Sequence, residues 1–353
     1  MSLNTLRIKN FRNIKDFRVE LDPGFNIFIG KNGSGKTSIL EAIYISFRKK
    51  SFRTNKIENC INLQENFYST FIQTQEDDYV VSQKQVNKNS LVKVNDNLAN
   101  SKELAFLVPV QIINNNIFNV LDSGSKYRRK IIDWGLFYSE PSFIDIWAKY
   151  NKALKNKNAA LKSNQGTNDI QAWNSILAKT GFSIHSQRKK YLNELSKTLQ
   201  TIIQKDKKNI SMQLTDSWES EAVLEKEITQ SLKKDMYYRV SQVGPHKTDI
   251  LFSQDNMEIK NIYSRGQQKT FLLNLYLSQS INLFENYGKK CLFLIDDINS
   301  ELDHENLSFL INTLVNINAQ TLITSINDDT LSYFNNLNHR VFHVKREMIN
   351  NPI

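Results

Sequence analysis

Hydrophobic and polar positions change rhythm several times along this chain. LRIKNFRNI (Leu6–Ile14) and FRVEL (Phe17–Leu21) alternate with period two, the pattern of half-buried strands. FNIFIG (Phe25–Gly30) is a short apolar run ending in glycine. It is followed by GKNGSGKT and then by SILEAIYISF, an apolar helical pattern. The order predicts strand, glycine-rich loop, helix. FYSTFIQTQ, YVVSQKQV and SLVKV, between Phe67 and Val94, alternate again and are separated by EDD and NKN turns. They predict a meander forming a second sheet that covers the first helix. From Tyr127 to about Lys234 the pattern is helical. Leu192, Leu195, Leu199 and Ile202 make an apolar stripe about three turns long, read as core. Sustained heptads are absent, which excludes a long coiled-coil arm. Beyond Ser241 strands and helices alternate. CLFLIDD (Cys291–Asp297) predicts a buried strand ending in two aspartates, and TLITSI (Thr321–Ile326) a further short β run.

Composition narrows the class. The 353 residues suit two or three domains, or one large discontinuous one, and 40% hydrophobic content is enough for a real core. Cys60 and Cys291 stand alone, which argues for a reducing compartment and against a zinc site or disulfide frame. No run of eighteen apolar residues occurs and the N-terminus lacks a signal-type apolar segment, so a soluble cytoplasmic protein without a membrane contact is expected. The net charge of +10 is concentrated. Lys126 to Lys208 holds seventeen Lys/Arg against six Asp/Glu, a net of +11. That points to a polyanion partner, with a merely solvated helical face as the alternative.

Three stretches carry chemistry. Gly30-Lys31-Asn32-Gly33-Ser34-Gly35-Lys36-Thr37 fits G-x-x-x-x-G-K-[ST] without a mismatch. Its glycines let backbone N–H groups converge on phosphate, Lys36 suits the β/γ-phosphates, and the Thr37 hydroxyl suits Mg²⁺. The strand before Asp296 and Asp297 presents both carboxylates at its C-terminal end. Asp296 is the candidate metal ligand and Asp297 the candidate to polarise an attacking water. A shorter Asp at the second position, where such ATPases often carry Glu, predicts slow hydrolysis. Ser300-Glu301-Leu302-Asp303 then predicts a turn facing a partner subunit. Finally, YSRGQQKTF (Tyr263–Phe271) puts Ser264, Gly266 and Gln267 at the head of a helix from Phe271 to Leu283. A hydroxyl, free N–H groups and a dipole end are the donors that cassette ATPase heads lend to a neighbour's ATP.

LRIKNFRNI, GKNGSGKTSILEAIY, SFRTN, YRRKIIDW, VGPHKTDI, SRGQQKT and LIDDINSELD occur in the order seen in the RecF family of bacterial recombinational repair proteins, which this chain resembles over most of its length. The resemblance implies an α/β fold: a P-loop ATPase lobe like an ABC or SMC head, with an extra β-sheet and an inserted helical second lobe. Residues 1–122 with 286–353 would form the first lobe. Residues 123–285 would form the second, with the signature turn near its end. It also implies ATP and Mg²⁺ as cofactors, an ATP-dependent homodimer, and weak, DNA-stimulated ATP hydrolysis. DNA, as duplex or a double–single-strand junction, would be bound without sequence specificity, and RecR and possibly RecO would be partners in loading RecA at gapped or stalled DNA.

Carried over by residue, Gly30 to Thr37 and Ser38 cradle the triphosphate. Arg12 and Asn13 lie near the nucleotide, and Gln111 stands where cassette ATPases place a metal-sensing glutamine. Ser264, Gly266, Gln267 and Gln268 act in trans. Arg128 and Arg129 face either phosphate or a carboxylate. SGSKYRR lacks the family's usual proline. Competing readings are an ATP-binding scaffold without significant hydrolysis and a transport ATPase subunit, the latter opposed by the basic region and by TLITSIN lacking a switch histidine.

Overall fold

The alternating N-terminal segments become strands β1 (Leu3–Phe11) and β2 (Ile14–Glu20), paired antiparallel across a two-residue turn. The computed structural model describes residues 2–203, 209–298 and 304–345. The chain continues through β3 (Phe25–Ile29), α1 (Lys36–Arg48), β4 (Phe67–Thr74), β5 (Tyr79–Gln85), β6 (Leu91–Val94), β7 (Asn97–Leu98), α2 (Ser101–Leu107) and β8 (Val110–Ile113). Next come α3 (Asn119–Asp122), α4 (Ser125–Ser139), α5 (Phe143–Lys162), α6 (Thr167–Gln171), α7 (Asn174–Ile203), β9 (Ile210–Leu214), α8 (Glu221–Gln230) and α9 (Leu232–Tyr238). It ends with β10 (Ile250–Gln254), β11 (Met257–Glu258), α10 (Ile259–Ile262), α11 (Arg265–Tyr287), β12 (Leu292–Ile295), α12 (His304–Asn316), β13 (Thr321–Ser325) and β14 (His339–His343). Two compact units divide it: Met1–Asn116 with Gly288–Ile353, and Ile117–Tyr287.

In the first unit, a parallel sheet has the order β14-β3-β13-β12-β8 and an antiparallel sheet the order β2-β1-β4-β5-β6-β7. β3 is buried along its whole length, as an interior parallel strand must be. The expected meander is there, but β1 and β2 join it, with Ile8 opposite Thr70. Period two tells which face a strand buries and says nothing of its partner. Helix α1 buries Ile39, Leu40, Ala42, Ile43, Ile45 and Phe47 completely. They share one core with Leu6 and Ile8 of β1, Tyr68 and Ile72 of β4, Phe28 of β3 and Leu322 of β13. Truncating one such side chain to alanine costs about 2–5 kcal/mol. The phosphate loop is thereby clamped at the top of a helix that both sheets hold.

The second unit corrects two expectations. The region expected to be helical throughout is interrupted by β9, which pairs antiparallel with β10, itself paired with β11. Five residues whose partners lie 36 to 44 positions downstream leave almost no local trace. Helix α7 is thirty residues long, far beyond the three-turn stripe. Its buried face begins with Asn174, Leu177, Ala178, Gly181, Ile184, His185 and Arg188, where small and polar residues hide the period, and it ends on Ile203 rather than Ile202. Arg188 can be buried because Asp133 accepts two hydrogen bonds from it, both 2.8 Å, while the Pro245 carbonyl accepts a third at 2.6 Å. Lys157 and Asp235, both fully buried, pair at 2.9 Å. Among the described residues no helix is long and apolar enough to cross a membrane.

Candidate functional site

The loop between β3 and α1 is shaped by its glycines. Gly33 and Gly35 have φ of 78° and 113°, a region that side chains with a Cβ rarely enter. At Gly30 a Cβ would stand 2.4 Å from the Val344 carbonyl oxygen and 2.9 Å from Ser34 Oγ. α1 starts on Gly35 with no side chain capping its free N–H groups. Lys36 Nζ lies back on the loop, donating to the carbonyls of Gly30 (2.5 Å) and Lys31 (3.1 Å). Burial lowers the Lys36 pKa, and the nearby charges of Asp297 and Asp296 oppose that shift. Ser34 Oγ is buried with no hydrogen-bond partner among the described residues. Lys31, Asn32 and Gly33 are exposed.

β12 brings the acid pair to this loop. Thr37 Oγ1 donates to the Asp296 carboxylate at 2.8 and 3.1 Å, across 259 positions of sequence. Between β12 and β3 runs β13, and its Thr324 holds both acids. Thr324 Oγ1 donates to Asp296 Oδ1 (2.8 Å) and accepts from the Asp297 N–H (2.7 Å). Asp297 takes a left-handed φ of 55° just past the strand. Thr324 was not among the sequence candidates. Its signal is the second threonine of the buried β run TLITS, and that becomes meaningful only once β13 is known to lie beside β12. The Ser300–Asp303 turn lies outside the described residues.

The remaining candidates are distributed around this loop and helix. Asn13 braces the loop: its amide donates to the Gly33 carbonyl (3.1 Å) and its Oδ1 accepts from Ser38 Oγ (3.2 Å). Arg12 is tied to the helix instead. It donates to both oxygens of the fully buried Glu41 (2.8 and 3.0 Å) and to the Asn59 carbonyl (2.7 Å). Burial pushes the Glu41 pKa up, but hydrogen bonds from Arg12 and Ser51 and the charges of Arg12 and Arg53 outweigh it and hold the group below the usual carboxylate range. Glu41 thus collects the SFRT segment and the β1–β2 turn onto α1. Gln111 sits inside the sheet, opposite Phe293 and three residues short of Asp296, with Nε2 unpartnered among the described residues. At about 3.3 Å per residue this is roughly 10 Å back along the strand. Gln111 is thus set back from the level of the acid pair, and Ile113, opposite Ile295, is the last residue of β8 paired with β12.

In the second unit, Ser264 and Gln267 form a reciprocal cap. The Ser264 N–H donates to Gln267 Oε1 (2.9 Å), and the Gln267 N–H to Ser264 Oγ (3.4 Å). Helix α11 accordingly starts at Arg265, two turns earlier than Phe271. Ser264, Arg265, Gly266 and Gln267 are exposed, and a Cβ on Gly266 would meet nothing within 4 Å. Gln268 is buried: its amide donates to the Lys260 and Tyr263 carbonyls (both 3.1 Å) and accepts from Arg265. It shapes the turn and is not available to a neighbour's nucleotide. Arg128 faces a carboxylate, donating to Asp249 at 2.7 and 2.8 Å, and Arg129 reaches the Thr248 carbonyl at 2.7 Å. Gly124, in the turn without the proline, is extended and starts α4. Arg128, Lys157 and Arg188 are therefore internal anchors, and the basic region's outward charge rests on residues such as Lys149, Lys152, Lys155, Lys189, Lys190 and Lys197, all exposed.

These residues fit a nucleotide with a hard cation. An uncapped helix start, an orphaned Ser34 hydroxyl and a glycine cradle suit phosphate, and paired oxygens on Thr37 and Asp296 suit Mg²⁺. Comparison with known proteins agrees with this fold. Residues 2–350 match the family model described as the RecF/RecN/SMC N terminal domain. Proteins called DNA replication and repair protein RecF are 33% identical in Haemophilus influenzae (over 356 residues, 99% of each chain) and in Vibrio vulnificus (358 residues, 99% of each). A solved structure of the recombination mediator protein RecF with ATP in the RecFOR pathway superposes with a TM-score of 0.88 at 24% identity, covering 100% of this chain and 97% of that one. An Smc head bound to the C-winged helix domain of ScpA superposes at 0.60 and 12% identity, covering 100% and 97%.

Proposed function

The chain belongs to the RecF family, and from that premise we propose an ATP-switched DNA-binding protein of replication and recombinational repair. The observation that carries this reading is the 2.8 Å contact between the Thr37 hydroxyl and Asp296 beneath an uncapped, glycine-built helix start. ATP lies with its phosphates on the N–H groups of Gly33 to Thr37, and Lys36 leaves its two loop carbonyls for the β/γ-phosphates. Mg²⁺ held by Thr37 and Asp296 would neutralise charge on the transferring phosphoryl group. Asp297 orients the attacking water and accepts its proton. Its short side chain keeps turnover slow. Ser264, Gly266 and Gln267 of a second copy complete the site, so ATP joins two protomers. Exposed lysines of the second unit hold DNA through its phosphates, and affinity therefore falls steeply with salt. In the cell, the dimer acts with RecR and RecO to load RecA at gapped or stalled DNA.

Lys36→Ala tests the core of this proposal. Isothermal titration should give ATP affinity roughly ten- to a hundredfold weaker, since a charge-assisted phosphate contact is worth roughly 1.5–3 kcal/mol. Unchanged affinity would exclude the loop as the nucleotide site.

A further inference from the structure

Tyr237 and Tyr238 close helix α9 with relative exposures of 81% and 62%. Their rings meet edge to face, centroids 4.9 Å apart at 90°. Tyrosines this exposed forgo the burial that usually accounts for an aromatic ring, and two adjacent ones form a patch. Lys233 stands four residues before Tyr237, and Lys234 four before Tyr238, so each exposed ring shares a helix face with an exposed ammonium. Exposed Arg239 follows at once.

Between Ser231 and Gly244 the only acidic residue is Asp235. It points inward, fully buried against Lys157 at 2.9 Å, and accepts the Gln242 N–H at 2.8 Å. The Ser241 N–H is held by Asn158 Oδ1 at 2.8 Å. The base of the patch is thus tied down, its one carboxylate is neutralised internally, and its outer face carries cations, the two rings and the exposed Met236, with no acidic group from this stretch. Cations alone serve duplex phosphates. Exposed rings beside them match a strand whose bases are unstacked and free, because any base offers a π-face and duplex bases do not.

We propose that Tyr237 and Tyr238 form a stacking platform for unpaired nucleobases, with Lys233, Lys234 and Arg239 holding the flanking phosphates. The proposal rests on the DNA-binding reading above and adds to it the surface that would take unpaired segments. It is tested with the full-length protein, ATP and Mg²⁺, by fluorescence anisotropy on a labelled oligothymidine and on a blunt duplex of equal length. The pair Tyr237→Ala/Tyr238→Ala should weaken oligothymidine binding by about tenfold or more and leave duplex binding unchanged. The pair Tyr237→Phe/Tyr238→Phe, which keeps both rings, should restore it. Wild-type affinity of the alanine pair for oligothymidine, an equal loss on both DNAs, or a phenylalanine pair as weak as the alanine pair would each overturn the platform while leaving DNA binding itself standing. Wild-type protein that binds neither DNA would overturn the DNA-binding reading, and this inference with it.

Discussion

Thr324 carries two jobs on one hydroxyl, donating to Asp296 and accepting from the Asp297 backbone. Thr324→Val keeps the shape of the side chain and removes both contacts. One partner, the Asp297 N–H, is then left half-buried without its acceptor. A stability loss of about 1–3 kcal/mol is expected, read as a lower urea midpoint with an unchanged slope. A midpoint equal to wild type would mean that water replaces the hydroxyl at no cost. The same residue shows how chemistry hides in a sequence. The phosphate loop is legible because eight consecutive residues carry it. Thr324 is legible only from its neighbours across the sheet, and the place of Gln111 likewise, because strand register decides which residue of β8 stands level with the acids.

At the scale of an element, the VGPHKTDI segment is a hub within the second unit. Arg188 holds the Pro245 carbonyl, Arg129 the Thr248 carbonyl and Arg128 the Asp249 carboxylate. His246 Nε2 lies 3.1 Å from the Ser241 carbonyl, which can only accept, so Nε2 carries the proton and Nδ1 accepts from Tyr150 Oη at 2.5 Å. Burial drives the His246 pKa down to about 4; the Ser241 carbonyl opposes this, and the charges of Lys247 and Arg129 add to it. In the unfolded chain the ring protonates near pH 6.5. The stabilisation from a neutral ring is therefore whole above pH 6.5, is lost as pH falls from 6.5 to about 4, and does not change further below that. It amounts to about 3 kcal/mol. Urea unfolding at pH 7 and pH 5 should show a larger drop for wild type than for His246→Gln. Equal drops would mean that this ring is not what titrates. The motif was visible in sequence as a family signature; its packing role was not, since its anchors come from α4, α5 and α7.

For the whole molecule, the proposed switch needs two copies. Ser264→Arg places a bulky cation on an exposed turn and removes a helix cap, at a cost of about 1 kcal/mol. ATP binding by the monomer should survive, while sedimentation velocity should show the ATP-dependent dimer abolished. Dimers formed as readily as in wild type would remove the signature turn from the interface. The basic region also looks different at this scale. Its net charge was counted correctly from sequence, but Arg128, Lys157 and Arg188 are spent on internal carboxylates.

What the sequence alone determined is local: a glycine loop between an apolar strand and an apolar helix, an acid pair ending a buried strand, a polar glycine turn at the head of a helix. Each is written in consecutive residues, because backbone dihedrals, capping and short-range periodicity are properties of neighbours in the chain. Tertiary structure alone decided that β1 and β2 join the meander, that β9 interrupts a helical region to pair with β10, that Glu41 gathers Arg12 and Arg53, and that Thr324 holds the acids. Those arrangements depend on hydrogen bonds and burial between segments tens to hundreds of positions apart, whose energies no local pattern records.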